Sequence, residues 1–189
     1  MPVIAGVLLA LAATALGVAG LGMTGHMAAH MGAVAVAAPV LAWGWRRRRW
    51  SNASVGAPLA WATVEFVVVW AWHAPALRAL VDAQVAVALV EQAMFLAVGV
   101  GLWRAALAQP AAGVAALLLT SMHMTLLGAL IGLAPRPLYA MMAMHPAPGL
   151  DALADQQLGG VVMLVVGGAS YCLGGLWMLG MLLRERAPA

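Results

Sequence analysis

The sequence predicts an all-α fold, a polytopic helical bundle embedded in a membrane, on three observations. Hydrophobic residues make up 65% of the 189 and charged residues only 8%, against roughly 25% charged in a soluble domain. Mean hydropathy is +0.99. The apolar residues also gather into about six stretches near the ~20 residues that a helix needs to cross a ~30 Å hydrocarbon layer. One transmembrane domain, 1–189, is therefore expected.

The expected spans lie near 3–22, 27–45, 55–73, 85–108, 112–134 and 158–183. The first has no basic residues ahead of it and runs longer than a signal sequence's apolar core, so it reads as a retained span. The second ends in the block Arg46-Arg47-Arg48-Arg49, and the fourth carries Arg104 near its end. The sixth is followed by Arg184 and Arg186. Basic loops stay inside, so these ends are expected to be cytoplasmic, with both termini on that side. Arg78, Asp82, Arg136, Asp151 and Asp155 then fall in outer loops.

The net charge of +3 and pI near 10.0 thus read as a topology signal, with contact to membrane lipid and no nucleic-acid partner. Trp43, Trp45, Trp50, Trp70, Trp72 and Trp103 sit near expected span ends, as interfacial anchors do. Glycines such as Gly128, Gly132, Gly159 and Gly160 permit close helix contact. Four prolines, Pro135, Pro137, Pro146 and Pro148, make 135–157 an outer loop.

Within this frame, His26-Met27-Ala28-Ala29-His30-Met31 stands out. Residues four apart share a helix face, so two imidazoles and two thioethers would form adjacent stripes. That donor set suits a soft transition metal, copper above all. His73 ends the third span on the same side, and His145 follows Met144 in the outer loop as a possible capture point. His123 lies deep in the fifth span, and Glu65 and Glu91 lie within the third and fourth. Ionisable groups at such depth face the bundle interior and have a partner or a function.

Each has a structural alternative: an imidazole bonded to a neighbouring helix, a carboxyl bridging two helices, a methionine that only packs. One cysteine, Cys172, excludes an intrachain disulfide. There is no GxSxG, HExxH, Walker A loop, CxxC or CxxCH, so nothing singles out an enzyme. Metal or haem coordination, or a transport path, remains.

Five motifs in order resemble the CtaG-type cytochrome c oxidase assembly factors, membrane proteins of bacterial copper-oxidase biogenesis. They are His26-Met27 through His30 with Pro39 and Gly44, then Trp70-Ala71-Trp72-His73-Ala74-Pro75, and Glu91-Gln92-Ala93-Met94-Phe95-Leu96 with Gly99 and Trp103. Leu127-Gly128-Ala129 leading to Ala134-Pro135-Arg136-Pro137-Leu138-Tyr139, and Asp155-Gln156-Gln157-Leu158-Gly159-Gly160 through Met163, complete the set. The resemblance implies a copper chaperone of the bacterial cytoplasmic membrane that acts without catalytic turnover. It points to His26, His30, His73, Glu91, Asp155 and Met163.

The resulting expectation is a copper site, as Cu(I), near the outer face. His26 and His30 are its core ligands, His73 completes the set, Met27, Met31 or Met163 are soft donors, His123 is a further metal candidate, and Asp155, Glu91 or Glu65 stands behind the ligands to orient an imidazole. The expected partner is an oxidase subunit or another copper chaperone, and a homo-oligomer is compatible. The alternatives are a bis-histidine haem protein, with His30 paired to His123 or His73, and a small ion transporter relaying through Glu65, Glu91 and His123.

Overall fold

Every element of the computed structural model, which describes residues 1–46 and 54–186, is a helix or a connection between helices. Arg47, Arg48, Arg49 and Trp50, read above as topology signal and anchor, lie outside the described residues.

Helix α1 spans Pro2–Gly17. Gly20 and Gly22 then turn the chain with φ of 68° and 59°, which only glycine adopts without strain. A side chain at Gly22 would also strike the Asp155 carboxylate and the backbone at Ala147. α2 (Gly22–Met31), a π-helical turn (Gly32–Ala37) and α3 (Ala38–Gly44) make one 23-residue rod. α4 spans Ala57–Trp72 and α5 Pro75–Ala83, bent from α4 by 71°. α6 (Val85–Ala108) and α7 (Pro110–Gly132) are long apolar rods. A short α8 (Ala140–Met144) precedes α9 (Ala152–Val162), a second π-helical turn (Met163–Gly167) and α10 (Gly168–Arg186).

Four helices are long and apolar enough to cross a membrane, Gly22–Gly44, Val85–Ala108, Pro110–Gly132 and Ala152–Glu185, or five if the bent pair α4–α5 counts as one. The expectation of six is corrected at α1. Its 16 residues reach roughly 24 Å at 1.5 Å per residue, short of the ~30 Å layer. The last span starts at Ala152 rather than 158 and runs 34 residues. Trp103 is also no interfacial anchor: it is buried, stacked on Tyr171 with ring centres 5.6 Å apart.

The first π-helical turn has a chemical cause at Pro39. Proline has no N–H to give the Ala35 carbonyl one turn back, and the Ala38 N–H is taken by Ala33 O. The carbonyls of Val34 and Ala35 are bonded instead from α10, by Tyr171 Oη at 3.2 Å and Ser170 Oγ at 2.7 Å. The widened turn thereby ties α2–α3 to the last helix. Elsewhere small residues do the same: α7 and α9 approach so closely that a Cβ on Gly160 would lie 2.5 Å from Gly132 N.

Candidate metal centre

The start of α2 is fixed from α9. Asp155 is 1% exposed. Its oxygens accept from Met23 N at 2.7 Å and Thr24 N at 2.9 Å, two first-turn donors with no intrahelical partner. Its negative charge also suits the positive end of the helix. Gln92 on α6 ties the next turn by donating to Ala29 O at 3.0 Å. These contacts set the rotation of α2 and turn His26 and His30 inward, 7% and 0% exposed.

His73, at the C-terminus of α4, comes to meet them. Its ring centre lies 5.6 Å from that of His26 and 5.2 Å from that of His30, and His26 and His30 are 6.4 Å apart. Three imidazoles sharing one metal through bonds near 2.0 Å stand with ring centres roughly 5–6 Å apart. Backbones of α2 and α4 do not pack on each other among the described residues; α6 lies between them. Phe95 of α6 stacks on His30 at 3.8 Å and stands 6.2 Å from His73.

Hydrogen bonding defines the state of these rings. His73 Nδ1 lies 2.7 Å from Val69 O, a carbonyl that can only accept, so Nδ1 carries the proton and Nε2 the lone pair. That Nε2 is buried and has no hydrogen-bond partner, and neither has either nitrogen of His30. Buried polar atoms without partners are uncommon, and each costs about 1–3 kcal/mol. Two lone pairs of the neutral imidazoles that metals bind thus sit in an apolar pocket.

His26 differs, because Arg78 lies on it. Arg78 Nη1 stands 2.9 Å from His26 Nδ1 and 3.1 Å from Nε2, and donates to Glu91 Oε1 at 2.9 Å. Arg78 Nε donates to Asp82 Oδ1 at 3.0 Å, one turn along α5. His26 Nδ1 and Glu91 Oε2 are 3.8 Å apart. As the side chains stand, no group of three His, Cys, Asp or Glu among the described residues is arranged to hold a metal ion. The imidazoles are neighbours, but the first faces a guanidinium.

The remaining candidates divide. Met27, Met31 and Met163 are fully buried in the core beside the cluster's helices. Glu65, grouped above with Glu91 and His123 as a relay, is buried and accepts from Tyr171 Oη. His123 sets its ring edge-on to Phe66 with ring centres 5.3 Å apart, both nitrogens unpartnered. Asp155 caps α2 instead of orienting an imidazole. A half-open cavity of about 330 Å³ leads to the site; His26, Arg78, Glu91, Met141, Met142 and His145 are among its lining residues. Met144 is exposed outside it.

Arg78, placed above in an outer loop, is 3% exposed and central. The signal for it was present. Pro75 suits the first position of a helix, and Arg78 with Asp82 forms an i,i+4 ion pair; together they mark 75–83 as a helix. Tyr139 was also missed as a support: its hydroxyl donates to His73 O at 3.0 Å. Burial pushes its phenol up to about 12, with Arg78 pulling the other way.

A family model described as cytochrome c oxidase caa3 assembly factor (Caa3_CtaG) matches residues 3–185. No curated protein and no solved structure matches the chain.

Proposed function

Because the chain belongs to the cytochrome c oxidase caa3 assembly factor family, we propose that it serves oxidase assembly as a membrane-embedded copper carrier. His26, His30 and His73 hold the ion, and it passes to an oxidase subunit or another copper chaperone by ligand exchange, without turnover. The observation that carries this reading is the group of three buried imidazoles with ring centres 5.2–6.4 Å apart, in which His73 Nε2 and both nitrogens of His30 lack partners.

The soft oxidation state Cu(I) fits a neutral imidazole set whose helix α2 also carries two buried thioethers, Met27 and Met31. Met27, Met31 and Met163 are the candidate soft donors, and Glu91, 3.8 Å from His26, balances charge. The cavity lined by Met141, Met142 and His145 is the entry route, and it opens on the outer side of the bacterial cytoplasmic membrane. A haem between His30 and His73 has less support. Axial imidazoles on opposite sides of a metal stand roughly 6 Å apart, and the 5.2 Å between these two rings leaves no room for a macrocycle.

The test is elemental analysis with an optical spectrum, on protein purified in mild detergent from copper-supplemented cells. The wild type is expected to hold about one copper per chain, and H26A/H30A to lose it. Stoichiometric copper retained by the double variant overturns the assignment, as does a Soret band without copper.

A further inference from the structure

Arg78 is a guanidinium held in the one place where it and a metal ion exclude each other. Its Nη1 lies 2.9 and 3.1 Å from the two nitrogens of His26. A metal on His26 needs the lone pair of whichever of the two carries no proton. The longest ring separation in the cluster, 6.4 Å, also involves His26, and among the described residues no three His, Cys, Asp or Glu side chains are arranged to hold a metal ion as they stand. We propose that Arg78 is a built-in competitor for the carried cation: α5 seats its guanidinium on His26 and Glu91, and α5 withdraws it as copper loads. This deepens the carrier reading above and rests on it.

Three features make the exchange workable. α5 is short, nine residues, and stands at 71° to α4 across a break at His73-Ala74. It can therefore shift without carrying the span with it, and the cavity lined by Arg78, Val81 and Asp82 offers room to move into. Both Arg78 Nε and Nη2 are 3.0 Å from Asp82 Oδ1 on the same helix. Arg78 and Asp82 consequently leave as a formally neutral pair, so the guanidinium is never stripped of its counter-ion.

Glu91 stays behind on α6, beside His26. Its carboxyl, freed of Arg78, then faces the incoming cation and takes it as counter-ion in place of the guanidinium. Return of Arg78 to His26 and Glu91 would repel the ion, so the same residue that slows loading assists release to a partner. A purely structural Arg78–Glu91 ion pair predicts none of this.

The experiment titrates detergent-purified wild type, R78Q and R78Q/D82N with Cu(I) supplied as its bicinchoninate complex, and follows hydrogen exchange of the amides over 75–83. The double variant guards against misfolding, since it removes Asp82 together with its partner. If the competitor holds His26 most of the time, removing it raises apparent affinity on the order of tenfold. In the wild type, exchange over 75–83 rises when Cu(I) binds. Copper bound by the wild type through His26 and His30, with no gain in either Arg78 variant or no change over 75–83, overturns the competitor alone. Absence of Cu(I) binding in all three proteins removes the carrier reading, and the competitor with it.

Discussion

Gly160→Ala tests whether the site's geometry is set from the far side of the bundle. A Cβ there would meet Gly132 N at 2.5 Å, Gly132 Cα at 2.6 Å and Gly128 O at 2.7 Å, all backbone atoms of α7. Backbone cannot rotate out of the way as a side chain can. Ordinary contact begins near 3.4 Å, so α9 must back off by roughly 0.9 Å, an overpacking that costs about 1–3 kcal/mol. The displacement reaches Asp155 on the same helix, whose bonds of 2.7 and 2.9 Å to Met23 N and Thr24 N hold the start of α2.

At about 2–4 °C per kcal/mol for a chain of this size, Tm in detergent should fall by roughly 2–12 °C. Gly180→Ala is the control. Nothing lies within 4 Å of its Cβ position, and alanine is favoured over glycine within a helix by about 0.5–1 kcal/mol, so Tm should hold or rise. A Gly160→Ala protein as stable as wild type would refute close backbone packing of α7 on α9.

Asp155→Ala should cost about 1–2 kcal/mol by orphaning two N–H groups of α2, read as a lower Tm. Copper should still bind at saturation but with lower affinity, because Asp155 touches no imidazole yet helps, with Gln92, to set the rotation of α2. Tyr171→Phe strips the Val34 carbonyl and Glu65 of their donor and should destabilise by about 1–3 kcal/mol; an unchanged Tm would mean that another donor serves both. The same variant leaves Tyr139 as the single tyrosine, and its ultraviolet titration should show a midpoint at about 12 instead of the usual ~10. The sign follows from burial disfavouring the phenolate: between pH ~10 and ~12 the native phenol keeps a proton that the unfolded one has lost, so stability falls as pH rises through that window.

What the sequence made legible was the part governed by spacing within one helix. His26 and His30 share a face because they are four apart, and the structure buries both. His73 could be placed at a span end but not against them, because which helices adjoin depends on contacts such as Gly160 on Gly132, which no periodicity encodes. Arg78 escaped for a related reason. A charge between two apolar runs reads as a loop, and only its partners on α2 and α6 give it a buried place. The first span was over-read because apolar length alone does not show that the chain turns at Gly20 and Gly22. Deep polar pairs such as Tyr171 with Val34 O depend on a helix defect that hydropathy cannot see.

That defect has a further consequence for the face His26 and His30 present. A π-helical turn holds one residue more than the α-helical turn it replaces, and each residue of an α-helix advances the azimuth by roughly 100°. The turn at Gly32–Ala37 therefore acts as a phase setting between α3, packed on α6, and the histidines one to two turns away. Deleting a single residue from it would restore a regular helix, yet leave both imidazoles facing about a quarter-turn from His73. The proline that interrupts the helix is thus part of what aims it.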